Sequence, residues 1–178
     1  LPIPPEDNPA LGLRGVRTSL WRQDLLRTQL RAILRVRPLG QCKIMVPMIA
    51  VTEELRAVRA ILDEERAALG VTQEIELGAM VETPASAISA DLIAAEAQFL
   101  SIGTNDLTQY VLAMDRGHPQ LASRLEGLHP AVLRLINTTA DGARRKGRWL
   151  GVCGGMASDL LAAPLLIGLG VTELSATP

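Results

Sequence analysis

Two stretches decide how this chain folds: Ile75-Glu-Leu-Gly-Ala-Met-Val-Glu-Thr-Pro84 and Phe99-Leu-Ser-Ile-Gly-Thr-Asn-Asp106. Each is a short apolar run that ends in a polar cluster. A strand buried on both faces reads this way, and such strands belong to parallel sheets covered by helices. Pro84 opens a helix at its first turn, where a missing N–H costs nothing.

The same alternation continues in both directions. Upstream, Lys43-Ile-Met-Val-Pro-Met48 has the length of a buried strand. The spacing of Leu20, Leu25, Leu26, Leu30, Ile33 and Leu34 predicts a helix over 18–36, stopped by Pro38 and Gly40. Thr52 is expected to cap a helix running to about Leu69, with Glu53 and Glu54 complementing its dipole. Downstream, Pro130 starts a helix ending in Arg144-Arg145-Lys146-Gly147, a basic last turn and a glycine stop. Trp149 to Cys153 reads as a strand, 158–166 as a helix and 171–175 as a final strand. A further strand is expected around 12–16, while the proline-rich lead-in over 1–9 is read as extended.

Strand and helix alternate throughout, so the expected fold is α/β with helical crossovers on a parallel sheet. A complete (β/α) TIM-type barrel needs about 250 residues. The 178 present supply five to six of its eight units, an incomplete barrel in one domain. Only Trp21, Phe99, Tyr110 and Trp149 are aromatic, so the core must be aliphatic.

A net charge of −1 gives no reason to expect nucleic acid or an anionic membrane as partner. No stretch approaches the roughly 20 apolar residues of a membrane helix, and no export signal is evident. Cys42 and Cys153 are far apart, as expected of reduced thiols in a cytoplasmic protein.

The chemistry gathers where the strands end. In parallel α/β folds the C-terminal strand ends form the rim where ligands bind. Glu82 and Asp106 follow consecutive strands and can share a hard divalent cation, with substrate and water completing its shell. Singly, Asp106 could instead cap a helix and Glu82 could pair with an arginine. Arg14, Arg17 and Arg116 lie in loop-like segments, and guanidinium forks suit phosphate and carboxylate. Arginine is common here, since only Lys43 and Lys146 of the 18 basic residues are lysine. Cys153 stands at a strand end beside Gly154 and Gly155, either as a functional thiol or as a small filler. Cys42 begins a strand, the structural end of a barrel, and His118 and His129 read as loop or helix-entry residues.

Six blocks occur in order: Asn8-Pro-Ala-Leu-Gly-Leu-Arg-Gly-Val-Arg17, Ile44-Met-Val-Pro-Met48, Met80-Val-Glu-Thr-Pro84, Ser101-Ile-Gly-Thr-Asn-Asp-Leu-Thr-Gln-Tyr110, Met114-Asp-Arg-Gly117 and Val152-Cys-Gly154. Together they resemble the C-terminal domain of phosphoenolpyruvate-protein phosphotransferases, the Enzyme I family of the bacterial sugar phosphotransferase system. The resemblance implies a transferase in which phosphoenolpyruvate (PEP) phosphorylates a histidine on a separate N-terminal domain, leaving pyruvate. The phosphoryl group then passes to a small HPr-like phosphocarrier protein. It further implies that Glu82 and Asp106 hold Mg2+, and that Arg14, Arg116 and the Asn105 amide bind phosphate and carboxylate. Cys153 would protonate the enolate, Lys43 matches a basic position assigned here to substrate binding, and the intact protein would be a homodimer.

Two departures qualify the match. Cys153-Gly154-Gly155 replaces the family's common Cys-Gly-Glu, which removes a polar contact near the thiol and resembles the fructose-type multiphosphoryl transfer proteins. The phosphohistidine domain and an early barrel strand lie outside the chain, so these residues alone are expected to be inactive. Pyruvate phosphate dikinase or PEP synthase, a non-catalytic regulatory paralogue and an aldolase-like lyase are the alternatives on this domain.

Overall fold

In the computed structural model, which describes residues 3–38 and 40–177, the apolar runs become one parallel sheet. Helices α1 (Val16–Trp21) and α2 (Gln23–Ile33) precede strand β1 (Ile44–Val46). Then follow α3 (Thr52–Ala68), β2 (Leu77–Val81), α4 (Pro84–Ile88), α5 (Ala90–Glu96) and β3 (Phe99–Gly103). The rest is α6 (Thr104–Leu112), α7 (Pro130–Arg145), β4 (Trp149–Cys153), α8 (Ala162–Gly168) and β5 (Glu173–Ser175). The strands stand side by side in sequence order, and each neighbouring pair is parallel. Such an order requires a crossover after every strand, and the helices supply it. The result is five units of a (β/α) barrel wall.

The central strand β3 is buried along its whole length. The core is aliphatic, with Leu77, Ile93, Leu100, Ile102, Leu107, Ile136 and Leu150 almost fully covered. At the N-terminal end of the sheet Phe99 stacks on Trp149, their ring centroids 4.4 Å apart. Outside, α2 docks on α3 through Leu26 and Leu30. A charge cluster completes that contact. Glu65, only 2% exposed, accepts from Arg27 Nη1 at 2.9 Å and also pairs with Arg31 Nε.

Several boundaries differ from expectation. The helix expected over 18–36 is two, broken at Arg22 (φ −115°, ψ 66°). No strand forms over 12–16. Gly15 there adopts φ 56°, and a Cβ on it would stand 2.6 Å from Met48 Cβ, so the segment turns tightly against the loop after β1. Val16 N–H donates to Pro47 O in that contact, at 3.0 Å. The lead-in contains a 3-10 turn at Pro9–Leu11 rather than running straight into a strand. Thr52 is the first helical residue of α3, not its cap. Glu54 does the capping, its carboxylate accepting from the N–H groups of Ala50 and Val51 at 2.7 and 3.2 Å. The last helix begins later than expected, because Asp159 accepts from the N–H groups of Leu161 and Ala162 and starts α8 there.

Candidate active site

Register sets the level of the functional groups. Val81 pairs with Ile102, Ile102 with Val152, and Gly103 with Cys153. Glu82, the start of α6 and Cys153 therefore emerge together at the C-terminal rim.

Glu82 is buried at 4% exposure, and its Oε1 accepts from Met48 N–H at 2.7 Å. Met48 reaches it from the loop after β1 with φ 60°. Gly103 leaves room for the carboxylate, since a Cβ there would lie 2.5 Å from Glu82 Oε2. Burial pushes the Glu82 carboxyl above the usual range. The Met48 N–H pulls against that, Asp106 reinforces it, and Arg14 and Arg116 oppose it.

Asp106 projects from the first turn of α6 and is also buried. Its two oxygens face two arginines: Arg14 Nη2 lies 2.9 Å from Oδ1, and Arg116 Nη2 lies 3.4 Å from Oδ2. Oδ1 nevertheless lacks a well-aligned hydrogen bond, although it is fully covered. A buried carboxylate oxygen without an aligned donor, beside a second buried carboxylate, fits a hard cation. Among the described residues no group of three or more His, Cys, Asp or Glu side chains converges as a metal cage. A cation here would thus depend on substrate and water for its remaining ligands.

Arg14 is held at a second point, where Nη1 donates to Tyr110 Oη at 3.0 Å. Burial works against its charge, but Asp106 and Tyr110 outweigh burial and raise the guanidinium further. Arg116 is fixed through its backbone, its N–H donating to Gln109 Oε1 at 2.9 Å. Asn105 turns its Oδ1 to Gly155 N–H at 2.9 Å, which leaves its NH2 group to donate elsewhere. Gly154, at φ 95°, is required beside it: a Cβ would stand 2.6 Å from Thr104 Oγ1 and 3.0 Å from Asn105 Oδ1.

Cys153 is partly exposed. Burial, more than anything else, pushes its thiol up. A hydrogen bond with Ser101 opposes this, while Glu82, Asp106 and Glu173 add to the rise, so at neutral pH the sulfur keeps its proton. A cavity of about 370 Å³ borders the group, lined by Asn8, Ala10, Gln109, Tyr110 and Asp115 among others, without Glu82 or Cys153.

The structure thus brings Glu82, Asp106, Arg14, Arg116, Asn105 and Cys153 to one rim, and it does not bring Lys43. Lys43 precedes β1 and pairs with Glu76, its Nζ 5.4 Å from the Trp149 ring. Ile44 is in register with Leu77, which puts Lys43 level with Glu76, about 20 Å down the sheet from Glu82. Lys43, expected among the substrate-binding residues, thus stands at the strand beginnings, apart from the groups gathered at the strand ends. His129 caps α7, its Nδ1 accepting from Ala131 N–H, and His118 makes the same kind of turn with Gln120, as expected of entry residues. Gln109, Tyr110 and the Met48 N–H were not singled out in the sequence. For the first two the signal existed, because they stand three and four residues after Asp106 and share its helix face.

The full chain, residues 1–178, matches the family described as PEP-utilising enzyme, PEP-binding domain. A multiphosphoryl transfer protein of Xanthomonas campestris is 54% identical over 179 residues, covering 100% of this chain and 21% of that protein. PEP-protein phosphotransferases of Priestia megaterium and Bacillus subtilis are 49% and 46% identical, each over 98% of this chain. The chain spans 31% and 32% of those two proteins, so about a fifth to a third of the curated relatives it matches. Among solved structures, a citrate lyase from Burkholderia xenovorans superposes with a TM-score of 0.67 at 25% identity, over 85% of this chain and 50% of that one. An HpcH/HpaI aldolase/citrate lyase family protein from Burkholderia cenocepacia (TM-score 0.59, 16% identity, 88% of this chain and 63% of that one) shares the fold. A rim of paired carboxylates and arginines on this wall, with a family match from end to end, leads to one statement: the chain belongs to the PEP-utilising enzymes, as their PEP-binding domain.

Proposed function

We propose that this domain binds PEP for a phosphotransferase that passes the phosphoryl group to a histidine on a separate domain and releases pyruvate, in the service of sugar uptake. The observation that carries the reading is the Asp106 carboxylate between Arg14 and Arg116, beside buried Glu82. Phosphoryl transfer asks for charge neutralisation and alignment more than for covalent help.

Glu82 and Asp106 would hold Mg2+, which when bound neutralises phosphate and carboxylate oxygens. Arg14, Arg116 and the free NH2 of Asn105 bind those oxygens in forked geometry. The phosphorus–oxygen bond of PEP breaks, the phosphoryl group goes to an imidazole nitrogen, and the enolate of pyruvate remains. Cys153 gives its proton to the methylene carbon, completing pyruvate, and the resulting thiolate recovers a proton from water. The raised thiol fits this role because the acid must hold its proton until the enolate forms. Lys43, with its ammonium on Glu76, has no part in this reading.

In the intact protein the same reading includes an HPr-like phosphocarrier as acceptor and a homodimer, supported by exposed Leu160, Leu161 and Ile167 near α8. The cytoplasm is the compartment it implies.

The test is calorimetric titration of PEP into the full-length protein, with and without magnesium, for the wild type and Asp106→Ala. Magnesium-dependent binding lost in the variant is the expected result. Binding indifferent to both would sink the shared-cation site.

A further inference from the structure

We infer that Tyr110 is a positioning residue for Arg14, holding its guanidinium ready for substrate when Asp106 is engaged elsewhere; this rests on the PEP-binding reading above. The observation is a shared hydroxyl. Tyr110 Oη donates to Ala10 O and accepts from Arg14 Nη1 at 3.0 Å. A phenol does both at once, giving its one proton to the carbonyl and a lone pair to the guanidinium. The bond to Ala10 ties down the lead-in four residues before Arg14, so backbone and side chain are set by one group.

Helix geometry makes this possible. Asp106 and Tyr110 are four residues apart on α6, so their side chains stack on one face and meet Arg14 together. Asp106 faces Nη2 as an ion pair and Tyr110 accepts from Nη1, so Tyr110 supplies the directional bond to the fork.

The two contacts differ in charge. Asp106 cancels the arginine's charge and is itself a cation ligand in the proposed site, so its grip on Arg14 weakens when a cation takes its oxygens. Tyr110 is neutral, so it orients Arg14 without cancelling the charge that an anionic substrate needs. Without the hydroxyl, Arg14 would lose its remaining anchor at the moment of binding and would have to be ordered by the substrate, at a cost in affinity.

The experiment is a double-mutant cycle on the full-length protein, reading PEP affinity in magnesium by calorimetry for wild type, Tyr110→Phe, Arg14→Lys and the double variant. Tyr110→Phe removes one hydroxyl and keeps the ring, and its thermal midpoint checks that the fold is intact. Expected are about tenfold weaker binding in Tyr110→Phe and less than about twofold further loss when it is added to Arg14→Lys, since the hydroxyl acts through Arg14. Unchanged affinity in Tyr110→Phe would overturn the assignment. Equal losses in both backgrounds would also overturn it, because a merely structural hydroxyl behaves additively. A wild type that does not bind PEP, or Arg14→Lys that binds as wild type does, would instead bring down the site reading itself, and this inference with it.

Discussion

Met48 points its backbone N–H at Glu82 Oε1 from 2.7 Å, and it does so from a left-handed backbone, φ 60°. A methionine seldom adopts that conformation, which costs about 1–3 kcal/mol and persists where the surroundings enforce it. Here the loop after β1 turns so that one carboxylate oxygen is spoken for, while the other lies beside Gly103.

That contact separates two roles of Glu82. Glu82→Gln keeps an oxygen for Met48 N–H but loses the charge, so its thermal midpoint should stay near wild type while magnesium-dependent PEP binding is lost. Glu82→Ala leaves the buried N–H without an acceptor and should cost a further 1–3 kcal/mol or so of stability. Thermal denaturation and calorimetry on both variants check the split. Equal destabilisation by both would show that charge, not the hydrogen bond, supports the fold here.

Cys153→Ser tests the proton donor. Serine is a far weaker acid than a thiol, so pyruvate release by the full-length protein should fall roughly 10²-fold or more, the range expected for losing a general acid. PEP affinity should stay within about threefold, because the thiol is not one of the groups assigned to phosphate or carboxylate. Matched measurements of pyruvate release and PEP binding decide it. A proportional loss in both would assign Cys153 to binding.

Lys43→Met should leave PEP affinity within about twofold of wild type. Its ammonium pairs with Glu76 at the far end of the sheet, and a half-exposed ion pair contributes little. A tenfold loss on calorimetric titration would return Lys43 to the site.

The cluster of Arg27, Arg31 and Glu65 predicts an acid limb in stability. Hydrogen bonds from Arg31 and then Arg27 hold the Glu65 carboxyl below its ordinary value of 4.5, against the opposing effect of burial. A carboxylate depressed on folding stabilises fully above its unfolded value and loses that contribution as pH falls through the folded one. Urea midpoints should therefore hold steady near neutrality and decline below about pH 4.5. Glu65→Gln should start lower at pH 7 and decline less steeply; parallel curves would remove Glu65 from the acid limb.

Much of this was readable in the chain before its folding. Apolar runs ending in Glu82, in Asn105-Asp106 and in Cys153 follow from the local requirement that a doubly buried strand be apolar and its exit polar. Alternation with helices then forces parallel pairing, and parallel pairing puts all those exits on one rim. The α/β class, the strand-end carboxylates and the thiol were therefore settled by sequence. A local pattern stops at contacts between distant segments. The sequence suggested a strand over 12–16, but packing of Gly15 against Met48 makes a tight turn there. It placed Lys43 near a functional block, but a strand has two ends, and only the register of β1 on β2 shows which end Lys43 occupies. Arg14 and Tyr110 are 96 residues apart, and Met48 and Glu82 are 34 apart. Those pairings depend on how the lead-in and the β1 loop settle onto α6 and β2, which tertiary packing decides and no short-range periodicity encodes.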